Sequence, residues 1–166
     1  MEIITADRAG ACYGVKRALD LVLKASETRE SVQTLGPLIH NPQVVARLES
    51  RGITVADTPN DITAQSIVIR SHGITPAVRS QLESSGASIV YATCPHVLRA
   101  QHAAQELAKE GRTVLVVGER SHPEVEGLRA WAEEAGGTVI VVANAGELPQ
   151  DISDPIGVVV QTTQRR

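Results

Sequence analysis

The sequence predicts an α/β fold of two tandem, similar units, each a small parallel sheet flanked by helices. Short apolar runs rich in Val and Ile alternate with amphipathic stretches along the chain. This order favours parallel strands joined by right-handed crossovers. The 166 residues are 42% hydrophobic and carry a net charge of −3. Such a composition is typical of a globular protein and excludes collagen-like, disordered and disulfide-framework classes.

The candidate strands are short runs bounded by polar, Gly or Pro residues, and Val and Ile dominate them. They cover residues 2–5, 32–35, 67–70, 88–92, 113–117, 138–142 and 157–161.

Helical stretches fill the gaps between these strands. Asn41 before Pro42 is typical of a helix start, because a side chain caps the first turn and Pro is tolerated at the first position. Thr75 before Pro76 is a second helix start of the same kind. The predicted helices start near positions 15, 42, 76, 97 and 123.

The chain contains an internal repeat. The string C-x-x-V-x-R-A begins at Cys12 and again at Cys94, 82 residues later. His40 and His122, each followed closely by Pro, are also 82 residues apart. Two pairs that share one offset predict a duplicated α/β unit. We expect a first unit at 1–94 and a second at 95–166.

Composition also restricts the partners. Tyr13, Tyr91 and Trp131 are the only aromatic residues, which disfavours binding of single-stranded nucleic acid by stacking. The acidic balance disfavours duplex binding. No apolar run reaches the length of a membrane span, and the first residues do not resemble a secretory signal. We therefore expect a cytoplasmic protein with no nucleic-acid or membrane partner.

Reactive side chains follow the predicted strands repeatedly. The carboxyl ends of parallel strands meet at one edge of a sheet, where ligands bind. A single histidine there is more often a capping or surface group, but the repetition favours a site. The residues concerned are Cys12, His40, His72, Cys94, His122, Glu124 and Thr162.

The three histidines indicate an anionic ligand. His40, His72 and His122 each precede a segment with Pro in its first turn. Helix N-termini attract phosphate or carboxylate, and an imidazole adds a donor. Neither a Walker-type loop nor G-x-G-x-x-G is present, which disfavours nucleoside triphosphates and dinucleotides.

Cys12 and Cys94 each lie where a strand gives way to a helix, a position that favours the thiolate. Their spacing is unlike that of a zinc finger. Meeting from two repeats, they could ligate a metal or an iron–sulfur cluster, although two thiolates under-ligate a cluster. The alternative is that both are buried as small hydrophobic residues.

Glu124, beside His122, is positioned to relay protons, and Thr162 offers a hydroxyl at a neighbouring strand end. The alternative for Glu124 is a carboxylate that stabilises the first turn of its helix.

Six strings in the chain resemble the motifs of the 4-hydroxy-3-methylbut-2-enyl diphosphate reductase family, which serves isoprenoid biosynthesis. They are Gly10-Ala-Cys12-Tyr-Gly-Val15, His40-Asn-Pro-Gln-Val-Val45, Ser71-His72-Gly73, Ala92-Thr93-Cys94-Pro95, Ser121-His122-Pro123-Glu124-Val125-Glu126-Gly127 and Gln161-Thr162-Thr163.

The resemblance implies three α/β lobes around a 4Fe-4S cluster, of which this chain holds two. It implies that Cys12 and Cys94 ligate the cluster, and that the substrate's allylic hydroxyl is removed with two electrons and protons. A ferredoxin or a flavodoxin-type protein would be the electron donor. By the same resemblance, His40, His72 and His122 contact the diphosphate, while Glu124 and Thr162 deliver protons.

Two departures from the family pattern bear on this interpretation. The sequence given ends three residues after Thr163, so we expect the third lobe and the third cysteine to be missing and to require a second chain. Tyr91 also stands where the family has an acidic residue. The alternative is a non-catalytic diphosphate-binding remnant. A cysteine-dependent phosphatase is disfavoured, because neither cysteine lies in a glycine-rich phosphate loop.

Overall fold

The computed structural model describes residues 2–4, 10–28 and 31–164. Its helices are α1 (Tyr13–Thr28), α2 (Pro42–Glu49), α3 (Pro76–Ser84), α4 (Pro95–Lys109) and α5 (Pro123–Glu134). Its strands are β1 (Val32–Leu35), β2 (Thr54–Ala56), β3 (Ser66–Ile69), β4 (Ser88–Tyr91), β5 (Thr113–Val117), β6 (Val139–Val142) and β7 (Ile156–Val160).

Two parallel sheets organise the described residues, which confirms the predicted fold class. The first has the strand order β2-β1-β3-β4 and the second β6-β5-β7. Every strand pair is parallel. The order β2-β1-β3 therefore recurs as β6-β5-β7, and each set is preceded by a helix, α1 or α4. This recurrence matches the offset of 82 residues in the sequence.

Aliphatic side chains form the core on both sides of the first sheet and beneath the second. All four residues of β1 and of β3 are buried, as expected for central parallel strands covered on both faces. One cluster packs α1 against the first sheet, a second lies on its other face near α3, and a third joins α4 and α5 to the second sheet.

The helix starts agree with the sequence signals. The side chain of Asn41 accepts hydrogen bonds from the backbone of Gln43 and Val44 at 3.1 and 3.2 Å. The Thr75 hydroxyl accepts from the Val78 N–H at 3.4 Å. These caps satisfy backbone donors that have no partner within the helix.

One predicted strand does not form as expected. Residues 2–4 adopt no regular structure, and Ile3 and Ile4 are 79% and 85% exposed. No described strand pairs with this segment, and an isolated extended segment has no ladder to stabilise it. Thr5, the last residue of that prediction, lies outside the described residues.

The strand β2 and the early start of α4 were not predicted. β2 has three residues and only Ala56 is buried, so its apolar pattern is weak. The helix α4 begins directly after Cys94 rather than near residue 97, because Pro95 occupies its first turn. Among the described helices, none is long and apolar enough to cross a membrane.

Candidate functional site

Three imidazole rings meet at the carboxyl ends of the strands. His40 follows β1, His72 follows β3 and His122 follows β5. The ring of His72 lies 4.5 Å from that of His40 and 5.4 Å from that of His122, measured between centroids. The rings of His40 and His122 are 5.8 Å apart. One nitrogen from each residue lies within 4.8 Å of the others, so a single small ligand can contact all three.

His72 is held in its neutral form. Burial lowers the pKa of His72 from 6.5 to about 4, and repulsion from His40, His122 and Arg70 adds to the effect. Its Nδ1 atom is buried and has no hydrogen-bond partner in the part of the chain that the structure describes. A buried ring nitrogen that has no partner is costly unless a ligand or water satisfies it.

His122 has a defined tautomer. Its Nδ1 accepts a hydrogen bond from the Glu124 N–H at 3.1 Å, and this bond caps α5. In the neutral ring the hydrogen must then sit on Nε2, which becomes a donor. The assignment follows from the hydrogen bond that Nδ1 accepts.

The histidine cluster suits an anion better than a metal cation. A metal bound at Nε2 of His122 would require the hydrogen on Nδ1, against the Glu124 N–H. The positive charge of nearby Arg70, which also lowers the pKa of His72, repels cations further. An anion is favoured by both features, because it accepts from the Nε2–H of His122 and raises the proton affinity of His72.

A carboxylate and a hydroxyl lie next to this cluster. Glu124 is 1% exposed. Its Oε1 accepts from the Thr162 N–H at 2.7 Å and its Oε2 accepts from the Thr162 hydroxyl at 2.9 Å. Both oxygens of a buried carboxylate are therefore bound by one residue, and the end of β7 is tied to the first turn of α5.

The two cysteines occupy equivalent places. Each precedes a helix, and its carbonyl accepts the first helical hydrogen bond, from Lys16 N–H to Cys12 and from Leu98 N–H to Cys94, at 3.0 Å in both cases. Cys12 is exposed, Cys94 is partly buried, and neither forms a disulfide.

Glycine allows α1 to approach the second cysteine closely. A Cβ atom on Gly14 would lie 2.6 Å from the Sγ of Cys94, too close for any side chain. Arg17, the arginine of the repeat motif, also joins the two elements, donating to the carbonyl oxygens of Thr93 at 3.1 Å and Tyr91 at 3.3 Å. The start of α1 and the start of α4 thus pack against each other.

The thiols fit part of an iron–sulfur site. Helix N-termini favour thiolates, the form that ligates metals. The sequence contains two cysteines, whereas a cluster is normally held by more. The two cysteines could therefore supply two ligands of such a cluster, and a complete set would need others.

Arg70 was not among the predicted site residues. It lies directly after β3, beside the His72 turn, and its Nε donates to the Gly73 carbonyl at 3.5 Å. The predicted strand 67–70 included Arg70, whereas the observed strand ends at Ile69. The available signal was a positive charge at the carboxyl end of an apolar run.

Fold and site together define an α/β protein with three histidines clustered at strand ends and two cysteines that each directly precede a helix. The family model described as LytB protein matches residues 3–166. The chain belongs to this family, which confirms the resemblance found in the motifs.

Curated relatives are similar to nearly the whole chain. It is 46% identical over 165 residues to 4-hydroxy-3-methylbut-2-enyl diphosphate reductase of Syntrophotalea carbinolica, covering 99% of this chain and 58% of that protein. The reductase of Geobacter sulfurreducens is 46% identical over 172 residues, covering 99% of this chain and 57% of its own length. The chain thus spans less than two thirds of these relatives.

Solved structures show the same architecture. A structure of (E)-4-hydroxy-3-methyl-but-2-enyl diphosphate reductase superposes with a TM-score of 0.85 at 38% identity, covering 98% of this chain and 59% of that one. A diphosphate reductase from Plasmodium falciparum superposes with a TM-score of 0.83 at 26% identity, covering 95% and 50%.

Proposed function

We propose that this chain forms part of a 4-hydroxy-3-methylbut-2-enyl diphosphate reductase, converting that diphosphate to isopentenyl and dimethylallyl diphosphate. The observation that carries the proposal is the convergence of three histidines beside the Glu124–Thr162 pair. The reaction consumes two electrons and two protons and releases the allylic hydroxyl as water. The similarity to reductases over 99% of this chain supports the same reading.

The histidines hold the diphosphate in this proposal. His122 donates from Nε2, because its Nδ1 is engaged with the backbone of Glu124. His72 is neutral in the free protein and takes up a proton when the anion arrives, which strengthens the contact. His40, the exposed member of the cluster, closes the site from the β1 side.

Glu124 and Thr162 deliver a proton to the leaving hydroxyl in this proposal. The Thr162 hydroxyl donates to Oε2 of Glu124 at 2.9 Å, so Thr162 can pass a proton onward when Glu124 is protonated and donates along the same bond in the reverse direction. Glu124 is buried and Thr162 is exposed, so the hydroxyl is the member of the pair that a substrate can reach. Such a hydrogen-bonded pair is suited to general acid catalysis at a leaving hydroxyl.

Cys12 and Cys94 would hold a 4Fe-4S cluster together with at least a third thiolate, which residues 1–166 do not supply. When bound, the cluster supplies electrons to the substrate, and a ferredoxin or flavodoxin-type protein renews them. We further propose that the chain divides into units 1–94 and 95–166, with a further lobe supplied by another chain or segment. A cytoplasmic location stays a prediction.

Calorimetry on the metal-free chain tests the anion site. Titration with inorganic pyrophosphate and with the substrate diphosphate should give binding that His122→Ala and His40→Ala abolish. His102→Ala, which removes an exposed histidine of α4, is the matched control and should bind normally. Binding that survives both site variants would refute the proposal.

Anaerobic reconstitution with iron and sulfide separates an enzyme from a non-catalytic diphosphate-binding protein. The second function needs only the histidine cluster, which contains neither cysteine. A reductase predicts iron uptake that Cys12→Ser and Cys94→Ser each reduce, and more uptake when the missing lobe is added. Pyrophosphate binding without iron uptake under either condition would establish the non-catalytic function.

A further inference from the structure

Gln101 on α4 reaches between two segments of the candidate site. Its side chain is buried, with 4% of the residue exposed. A Cβ atom on Gly73 would lie 2.7 Å from its Nε2, and one on Gly127 would lie 2.9 Å from the same atom. Both distances are shorter than any real contact of a Cβ atom, so the amide fills the space that two side chains would otherwise occupy.

Both glycines belong to segments that carry site residues. Gly73 directly follows His72 and has a φ of +76°, which glycine adopts without strain. Gly127 lies on α5, three residues after Glu124. The amide of Gln101 is therefore in contact with the His72 turn on one side and with α5 on the other.

A second contact joins the same two segments. The indole Nε1 of Trp131, on α5, donates to the carbonyl oxygen of Ile74 at 3.0 Å. Trp131 and Gln101 also line one cavity, together with Arg79 and Leu98. The His72 turn follows a strand of the first sheet and packs against helices of the second sheet. The hydrogen bond of Trp131 and the amide of Gln101 both lie in this contact.

Hydrogen bonding within the chain does not explain the amide. The Nε2 of Gln101 is buried and has no hydrogen-bond partner among the described residues, which is costly compared with an apolar group of the same length. The Gln101 side chain is long enough to fill the space between the His72 turn and α5. It therefore keeps these two segments at a fixed distance from each other.

We propose that Gln101 is a positioning residue that sets the distance between the His72 turn and α5, and with it the spacing of His72 and His122. The inference rests on the proposed function in that this spacing is matched to a diphosphate. The ring of His72 lies 5.4 Å from that of His122, so a displacement of either segment changes which donors one anion can contact.

A clash-and-rescue experiment on the 166-residue chain tests this. Gly127→Ala places a methyl group against the Gln101 amide and should weaken pyrophosphate binding about tenfold, as contacting residues commonly couple by that factor. Gln101→Ala alone removes the spacer and should also weaken binding. In the double variant the clash is gone and the new methyl group takes part of the vacated space, so the double variant should lose clearly less affinity than the two single changes together. Adding Gln105→Ala, a matched change one helical turn further on, should restore nothing.

Fluorescence gives a readout that does not depend on binding. Trp131 is the only tryptophan of the chain. Its emission should shift to longer wavelength in Gly127→Ala, as the indole leaves the Ile74 carbonyl, and should return in Gly127→Ala/Gln101→Ala. If Gly127→Ala alone fails to fold, recovery of a cooperative melt in the double variant is the rescue.

Gln101→Met distinguishes spacing from hydrogen bonding, because it keeps the length and removes the amide. Pyrophosphate affinity should remain within about twofold of the wild type, given that volume-conserving changes are well tolerated. Affinity that falls as far in Gln101→Met as in Gln101→Ala would overturn the inference, as would strictly additive effects in the double variant. A wild-type chain that does not bind pyrophosphate would contradict the proposed function. The Trp131 emission of the single and double variants would then be the remaining test of the contact between Gln101 and α5.

Discussion

Protonation of His72 should destabilise the fold as the pH falls. Burial, followed by repulsion from His40, His122 and Arg70, lowers the pKa of His72 from 6.5 to about 4. The unfolded chain therefore binds this proton at a higher pH than the folded chain does. The contribution of His72 to stability is complete above pH 6.5 and is lost as the pH falls from 6.5 towards 4.

The size of the effect follows from the pKa change and the exposure of the ring. A fall from 6.5 to about 4 sets an upper limit of about 3.4 kcal/mol, since one pKa unit corresponds to about 1.36 kcal/mol. The ring is only partly buried, so screening by solvent reduces the expected loss to about 1–2 kcal/mol.

Urea unfolding at about pH 7 and about pH 4.5 measures this loss. The wild type should lose about 1–2 kcal/mol more than His72→Asn between the two conditions. His102→Asn, which removes an exposed histidine of α4, should behave as the wild type does. Equal losses in the wild type and His72→Asn would refute the reasoning, because the buried imidazole would then contribute nothing.

Three further substitutions address other contacts. Glu124→Gln places an amide against the two donors of Thr162 and should cost about 1.5–3 kcal/mol in urea unfolding; an unchanged midpoint would contradict this. Gly14→Ala forces a methyl group to 2.6 Å from the Sγ of Cys94 and should cost about 1–3 kcal/mol, with faster alkylation of that thiol as the check. Asn41→Ala removes the cap of α2 and should lower the free energy of unfolding by about 1 kcal/mol; loss of pyrophosphate binding without loss of stability would show that the cap is not its main role.

The sequence predicts the strands best where short apolar runs end at polar residues. The bounds of β1 and β5 match the predicted ones, and α2 begins at the predicted Pro42. The segment 2–5 has an equally apolar pattern, but no described strand pairs with residues 2–4. Strand formation depends on a neighbour, which a local pattern does not contain.

The sequence likewise predicts some residues of the candidate site and not others. The histidines were expected at the carboxyl ends of strands, where parallel sheets bind ligands. His40, His72 and His122 do lie together, with His122 contributed by the second sheet. Gln101 has no such signal, since it lies in the interior of a helix. Its contact with Gly73 and Gly127 depends on how α4 packs against both segments, which strand and helix patterns do not determine.

The two sheets share a strand order but differ after their third strand. In the register of the central pairs, Ile69 aligns with Leu35 and Val160 with Val117. The turn after β3 then supplies an imidazole, whereas the turn after β7 supplies the Thr162 hydroxyl bound to Glu124. The two repeats therefore place different groups at the site, an imidazole after β3 and a hydroxyl bound to a carboxylate after β7. An elongated ligand with one charged and one neutral end has a single favoured orientation between these groups.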